Sequence, residues 1–225
     1  MSKSNSLILA SNSPRRAFLL KECGFEFESR PTHADEDFDT DVEIKDVPKL
    51  LATRKAEAAI AHLKDSEIVL TADTVVIFDN EILNKPSNEL EAIEMLKRLS
   101  GQTHQVITAV CLANKARKEI IEEVSWVTFF ELRETEIKNY VMHYQPFDKA
   151  GAYGAQECLP DNYNPCSGYE RIFLDRLGNP ELLLKSKSNL TLHNPLVAIN
   201  EIAGSYFNVM GLPIAHLYDK LKSVL

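Results

Sequence analysis

The chain has 225 residues, long for one small domain and short for two large ones, and 44% of them are hydrophobic, enough for a proper core. Its 25 basic and 33 acidic residues give a formal net charge of −8, which speaks against general nucleic-acid binding but leaves room for a small anionic ligand held by local positive charge. There is no run of about 18 apolar residues, residues 1–6 are polar and the four cysteines form no C-x-x-C pair, so the expectation is a cytoplasmic protein with reduced thiols that binds neither nucleic acid nor membrane.

Residues 7–10 (LILA) read as a buried strand. The chain then turns into a helix that Ser13 caps and Pro14 opens, with Gly24 placed to stop it. Arg15 and Arg16 stand on the first turn of that helix, at the positive end of its dipole, where two cations are unfavourable unless an anion arrives. With free backbone N–H groups and the hydroxyls of Ser11 and Ser13 they make a good polyphosphate receptor; the plainer alternative is a capped helix whose arginines face solvent.

Residues 25–28 alternate as a short strand, and the acidic run Asp35-Glu36-Asp37, with Asp39 and Asp41, follows. Most of that run reads as a solvated loop, with one or two carboxylates able to hold a divalent cation. Residues 47–64 form a helix with Val47, Leu51, Ala58 and Ala59 on one stripe. Lys55 falls on the same stripe, so it either snorkels from the core edge or points into a cleft at an anion. Residues 68–78 (IVLTADTVVIF) are a near-continuous apolar strand, buried on both faces, with Asp73 in the middle. A carboxylate there has to be paired, metal-bound or at an open cleft.

Asp79-Asn80 turns the chain, Ile82-Leu83 returns, and Lys85 stands before Pro86. Asn88 and Glu91 start a helix that runs to Leu99. Residues 104–113 and 119–132 read as strands, with Trp126, Thr128 and Phe130 on one face of the second and His104 as a structural histidine. Residues 134–144 are a helix. In 148–156 small residues alternate with polar ones, which lets backbone approach a ligand closely. Residues 157–194 read as an insertion in a single domain spanning 1–225, a candidate lid or partner surface, ordered only at 171–177 and 182–184. Its Cys158, Cys166 and His193 fit no common zinc spacing. Residues 199–202, a turn at 203–205 and a last helix at 214–221 end the chain.

These residues resemble the Maf-like nucleoside triphosphate pyrophosphatases. The likeness rests on residues 9–16 (LASNSPRR), 72–76 (ADTVV), Lys85-Pro86, 99–104 (LSGQTH), 148–154 (DKAGAYG) with Gln156, and 204–213 (GSYFNVMGLP), in family order over most of the chain. The family often has glycine where this chain has Asn84, and its shorter members have no counterpart of 157–194. The resemblance implies an elongated, two-lobed α/β fold with a bent mixed sheet, flanking helices and a central cleft, also likened to the inosine triphosphate pyrophosphatases. It implies hydrolysis of the α–β phosphoanhydride of a nucleoside triphosphate. Asp73 matches the proton acceptor. Glu36 with Asp73 matches the pair that holds a divalent metal cation, Mg²⁺ or Mn²⁺, although Asp35 stays open as the second ligand. Ser11, Arg15, Arg16, Lys55 and Lys85 match phosphate-contacting positions. Arg15, Thr74 and Gln156 match base-selecting positions and resemble the subgroup acting on dTTP and UTP rather than the one favouring 7-methyl-GTP. A nucleotide sensor acting through partners in division and septum control is the alternative, but a sensor has no need of Asp73. The insertion is also a candidate homodimer interface.

Overall fold

A computed structural model describes residues 5–39, 41–161, 163–188 and 196–225. His193 and the end of the expected insertion lie outside the described residues. Seven strands form one mixed sheet: β1 (Ser6–Leu9), β2 (Phe27–Ser29), β3 (Glu67–Phe78), β4 (Glu81–Leu83), β5 (Thr103–Ala113), β6 (Lys118–Phe129) and β7 (Ile199–Ala203). The order is β2-β1-β3-β5-β6-β7, with β4 also on β3. β1 is parallel to β2 and β3; the β3–β4, β3–β5, β5–β6 and β6–β7 pairs are antiparallel. The α/β class and mixed sheet agree with the sequence reading.

β3 carries the site because of how its neighbours are arranged. On one edge it pairs with β5 from Val69 to Ile77. On the other, β1 covers Glu67 to Leu70 and β4 covers Val76 to Phe78. Residues 71–75 therefore have no strand beside them on that edge among the described residues. Asp73 and Thr74 sit in this gap, at the middle of an otherwise buried strand.

The two faces of β3 feed different cores. Leu70, Ala72 and Val76 face the main core, with α1 (Pro14–Glu22), α3 (Glu89–Leu99), α4 (Glu134–Tyr144), α7 (Tyr206–Val209) and α8 (Ile214–Val224). Val69 and Val75 face α2 (Val47–Ile60). The period of two thus sends Asp73 toward α2 and Thr74 toward the main core.

α2 ends four residues before the expected Lys64. His62 and Leu63 donate to carbonyls only three residues back, and this tighter turn swings Leu63 into the apolar cluster under the sheet. The second long strand stops at Phe129 rather than Leu132, because its register to β7 shifts between Thr128 and Phe129.

Residues 157–188 are more ordered than their composition suggests. α5 (Gly168–Leu177) and α6 (Leu182–Ser188) bury Phe173, Leu174 and Leu182 in the main core. Phe173 meets Tyr218 of α8 edge-on at 5.4 Å, and Arg176 pairs with Asp219 at 2.9 Å. None of the described residues from 157 to 188 lines the cleft; they pack on α8 and, through Asn179 and Lys185 to Glu22, on α1. The four cysteines are buried thiols. No helix of the described residues is long and apolar enough to cross a membrane.

His104, on β5, is 1% exposed and its Nε2 lies 2.8 Å from the Tyr153 hydroxyl. Burial lowers its pKa from 6.5 to about 3. The unfolded chain therefore takes up a proton between those values that the folded chain refuses, and stability falls as pH drops below 6.5. The expected loss from this residue between pH 7.5 and 5 is about 2 kcal/mol. Urea denaturation of wild type and His104→Gln at both pH values checks it; an equal loss in the two proteins would assign the effect elsewhere.

Candidate active site

A cleft of about 320 Å³ opens at the gap beside β3. Its walls come from the turn between β1 and α1, the loop containing Glu36, α2, β3, the loop after β4, residues 148–156 and the end of α7. All nine residues proposed from sequence line it: Ser11, Arg15, Arg16, Glu36, Lys55, Asp73, Thr74, Lys85 and Gln156. Five cations, the fifth being Lys149, face three carboxylates there, so the cleft is locally positive in a chain of net charge −8.

Two parallel links tie α2 to β3. Thr71 Oγ1 donates to the Ala52 carbonyl at 2.6 Å. Two residues along the strand and three along the helix, Lys55 Nζ lies 2.6 Å from Asp73 Oδ1. The same ammonium lies 2.7 Å from Glu36 Oε1. Lys55 thus points into the cleft, which decides between its two sequence readings. Burial is the largest influence on Asp73 and raises its pKa against the pull of Lys55 and Arg16. The hydrogen bond from Lys55 holds Glu36 below the usual glutamate value. Asp35 instead accepts the Asp37 N–H at 2.9 Å and does not line the cleft.

Ser13 caps α1 through the Arg16 N–H, and Pro14 occupies its first turn. This aims both arginines across the cleft, with different results. Arg16 donates to Ser11 Oγ at 3.1 Å, Thr74 Oγ1 at 3.1 Å and the Gly211 carbonyl at 2.8 Å. Burial lowers its pKa to about 10, so it stays charged at neutral pH. Arg15 pairs with Asp148 at 3.2 Å on the opposite wall. Burial alone would lift Asp148, but its pairs with Lys149 and Arg15 outweigh that and hold it low. Lys85 makes no hydrogen bond or ion pair to any described residue. Asn84 beside it is exposed and offers its carbonyl to the Gly151 N–H at 3.3 Å, a role open to any residue type.

Gln156 Oε1 is buried and has no hydrogen-bond partner among the described residues; Thr32 Oγ1 is in the same state, and both residues line the cleft. An orphaned acceptor in a cleft wall is costly unless a ligand donates to it. The glycines of 148–156 make room for protein atoms as well. A Cβ on Gly151, at φ +69°, would lie 3.1 Å from Val76, and one on Gly154 would lie 2.8 Å from the Glu157 carboxylate. Glu157 in turn accepts the Tyr140 hydroxyl at 2.5 Å.

A sequence profile of the family described as Maf-like protein matches residues 6–160. The chain belongs to the Maf-like family. A dTTP/UTP pyrophosphatase of Phocaeicola vulgatus is 36% identical to this Maf-like protein over 97% of this chain and 95% of that one. One of Porphyromonas gingivalis is 38% identical over 98% and 94%. Among solved structures, the Ham1 protein of Staphylococcus aureus aligns with 56% of this chain and 72% of its own, at 14% identity and a TM-score of 0.42, a partial likeness only.

Two cleft residues of this Maf-like protein, Lys149 and Thr32, and one buried residue behind the cleft, Thr108, had no role in the sequence reading. Lys149 stands in a quoted motif, but nothing in the motif shows that its ammonium bridges Asp148 at 2.8 Å and Glu157 at 3.6 Å. Thr32 lies in a loop with no pattern around it. Thr108 hides in an apolar strand, yet its hydroxyl lies 2.9 Å from that of Thr74.

Proposed function

We propose that this chain hydrolyses dTTP and UTP to the nucleoside monophosphate and pyrophosphate. The observation that supports this most directly is the buried Asp73 carboxylate in a cleft lined by five cations. A triphosphate carries about four negative charges, as many as the four cations Arg15, Arg16, Lys55 and Lys85 that face it in this reading, while Lys149 is paired with Asp148. Arg15, Arg16, Lys55 and Lys85 hold the phosphates, with Ser11 as a hydroxyl donor beside them. Asp73 accepts the proton of a water that attacks the α-phosphorus. The α–β bridging bond breaks and pyrophosphate leaves.

Glu36 and Asp73 fit a hard divalent cation. Each keeps an oxygen not engaged by Lys55. No cluster of three or more His, Cys, Asp or Glu side chains forms among the described residues, and a Mg²⁺ ion, which ordinarily keeps water and substrate phosphate as ligands, would need no more than these two carboxylates from the protein. Mg²⁺ or Mn²⁺ held by these two residues would neutralise phosphate charge and polarise the anhydride.

Base choice rests on Arg15, Thr74 and Gln156. A uracil or thymine edge presents an N–H donor between two carbonyl acceptors. The Gln156 amide offers the complement, an acceptor and a donor side by side, and its buried Oε1 awaits such a donor. Gln156→Glu keeps the shape and loses the donor. The expected result is a fall in kcat/KM for dTTP and UTP of about 10- to 100-fold, with little change for GTP. A panel of dTTP, UTP, GTP and 7-methyl-GTP, run with and without Mg²⁺, tests the assignment. Preference of the wild-type chain for either guanine nucleotide would overturn the dTTP/UTP reading.

A further inference from the structure

Glu170 lies on α5, beyond the residues that match the family profile, and none of its atoms lines the cleft. It is nonetheless a wholly buried carboxylate, 0% exposed. Part of its role is local: with Ser167 it forms a capping box, in which Oε2 accepts the Ser167 N–H at 2.8 Å. The rest reaches a different element. Oε1 accepts the Ser205 hydroxyl at 2.7 Å and the Phe207 N–H at 2.9 Å, and Oε2 accepts the Tyr206 N–H at 3.1 Å. These are the groups that begin α7. A four-residue helix has little cooperativity of its own, so its orientation depends on such anchors.

Two carbonyls, one on the last turn of α7 and one just beyond it, hold Arg16 of the cleft and Thr108 behind it. The Gly211 carbonyl takes Arg16 Nε at 2.8 Å. The Asn208 carbonyl takes Thr108 Oγ1 at 3.0 Å. Because Thr108 spends its one proton on Asn208, its contact with Thr74 can only be as acceptor, so Thr74 donates to Thr108. Thr74 in turn accepts from Arg16 Nη2 at 3.1 Å. Arg16, Thr74 and Thr108 form one directed chain of hydrogen bonds that ends on α7. There is little slack around it: a Cβ on Gly211 would lie 3.3 Å from Thr74 Oγ1.

We propose that Glu170 is a positioning residue for the cleft, its carboxylate setting α7 and, through the Asn208 and Gly211 carbonyls, the orientation of Thr74 and Arg16. This rests on the triphosphate reading of the cleft given above. Glu170→Gln is the sharpest probe. Whichever oxygen becomes the amide nitrogen, its protons meet a backbone N–H, that of Phe207 on one side or those of Tyr206 and Ser167 on the other.

The test compares the full-length wild-type chain with Glu170→Gln at a temperature where circular dichroism shows both folded, in Mg²⁺. Calorimetry reads the Kd of a dTTP analogue with a methylene in place of the α–β bridging oxygen, and steady-state kinetics read KM and kcat for dTTP. The expected rise in Kd and KM is about tenfold. A merely structural role would reduce the number of competent molecules, lowering kcat and the count of binding sites while leaving Kd and KM unchanged. Ser205→Ala, which removes one of Glu170's donors and the α7 cap, is expected to weaken binding about threefold and carries the test if Glu170→Gln does not fold. Unchanged Kd and KM in the folded variant overturns the proposal. A wild-type chain that binds the analogue but hydrolyses no triphosphate overturns the proposed activity alone, and the Kd comparison still decides the role of Glu170. A wild-type chain that does not bind the analogue overturns both.

Discussion

Asp73→Asn is expected to give a folded protein whose turnover of dTTP and UTP has fallen by about 10²- to 10⁴-fold. Asparagine keeps the shape of the side chain but can neither take a proton nor supply an anionic oxygen to a cation. The direction of the pKa shift fixes the stability outcome. Burial raises Asp73 above its ordinary value despite two nearby cations. Its stability contribution is therefore present at low pH and lost as pH rises through the raised value, so at neutral pH the ionised side chain is a cost. Removing that charge leaves Tm at neutral pH unchanged or raised. Thermal melts beside single-turnover kinetics check both halves. Near wild-type turnover would remove Asp73 from the chemistry, and a collapse of Tm would make it a structural residue.

Lys55→Met is expected to be nearly as severe for activity and, unlike Asp73→Asn, to destabilise. Lys55 is the common partner of Glu36 and Asp73, and the Lys55 and Asp73 side chains are only 15% and 12% exposed. Methionine fills the apolar stem and abandons two carboxylates to each other. Breaking a fully buried pair costs about 3–5 kcal/mol, and residual solvent access puts this one nearer about 1–3 kcal/mol. Turnover is expected to fall at least about 100-fold, because one phosphate cation is lost and Asp73 loses its charge partner. In a double-mutant cycle the Lys55→Met penalty should largely vanish in the Asp73→Asn background. Full additivity would show that the two side chains do not act together.

Much of this site was legible in the residues themselves. The Ser13 cap, Pro14 and the two arginines describe their own turn, and a lone aspartate in an apolar strand has few physical reasons to exist. Lys55 was ambiguous, because helix periodicity gives the face but not what stands opposite. The gap beside β3 was invisible for a related reason: it exists only because β1 and β4 cover the two ends of that strand and leave the middle bare. The order found in 157–188 beyond 171–177 and 182–184 has one local signal, the Ser167…Glu170 spacing of a capping box. Even with that signal, nothing local shows the same carboxylate reaching Ser205, 35 residues further on. The glycines at 151 and 154 look like space for a ligand, but which atoms fill that space is a tertiary matter.

The position of Asp73 makes a definite demand on where water attacks. Hydrolysis of dTTP in ¹⁸O-labelled water, with the products separated and their masses read, tests it most directly. The prediction is dTMP carrying one labelled oxygen together with unlabelled pyrophosphate. Label in the pyrophosphate, or release of orthophosphate with dTDP, would contradict the account.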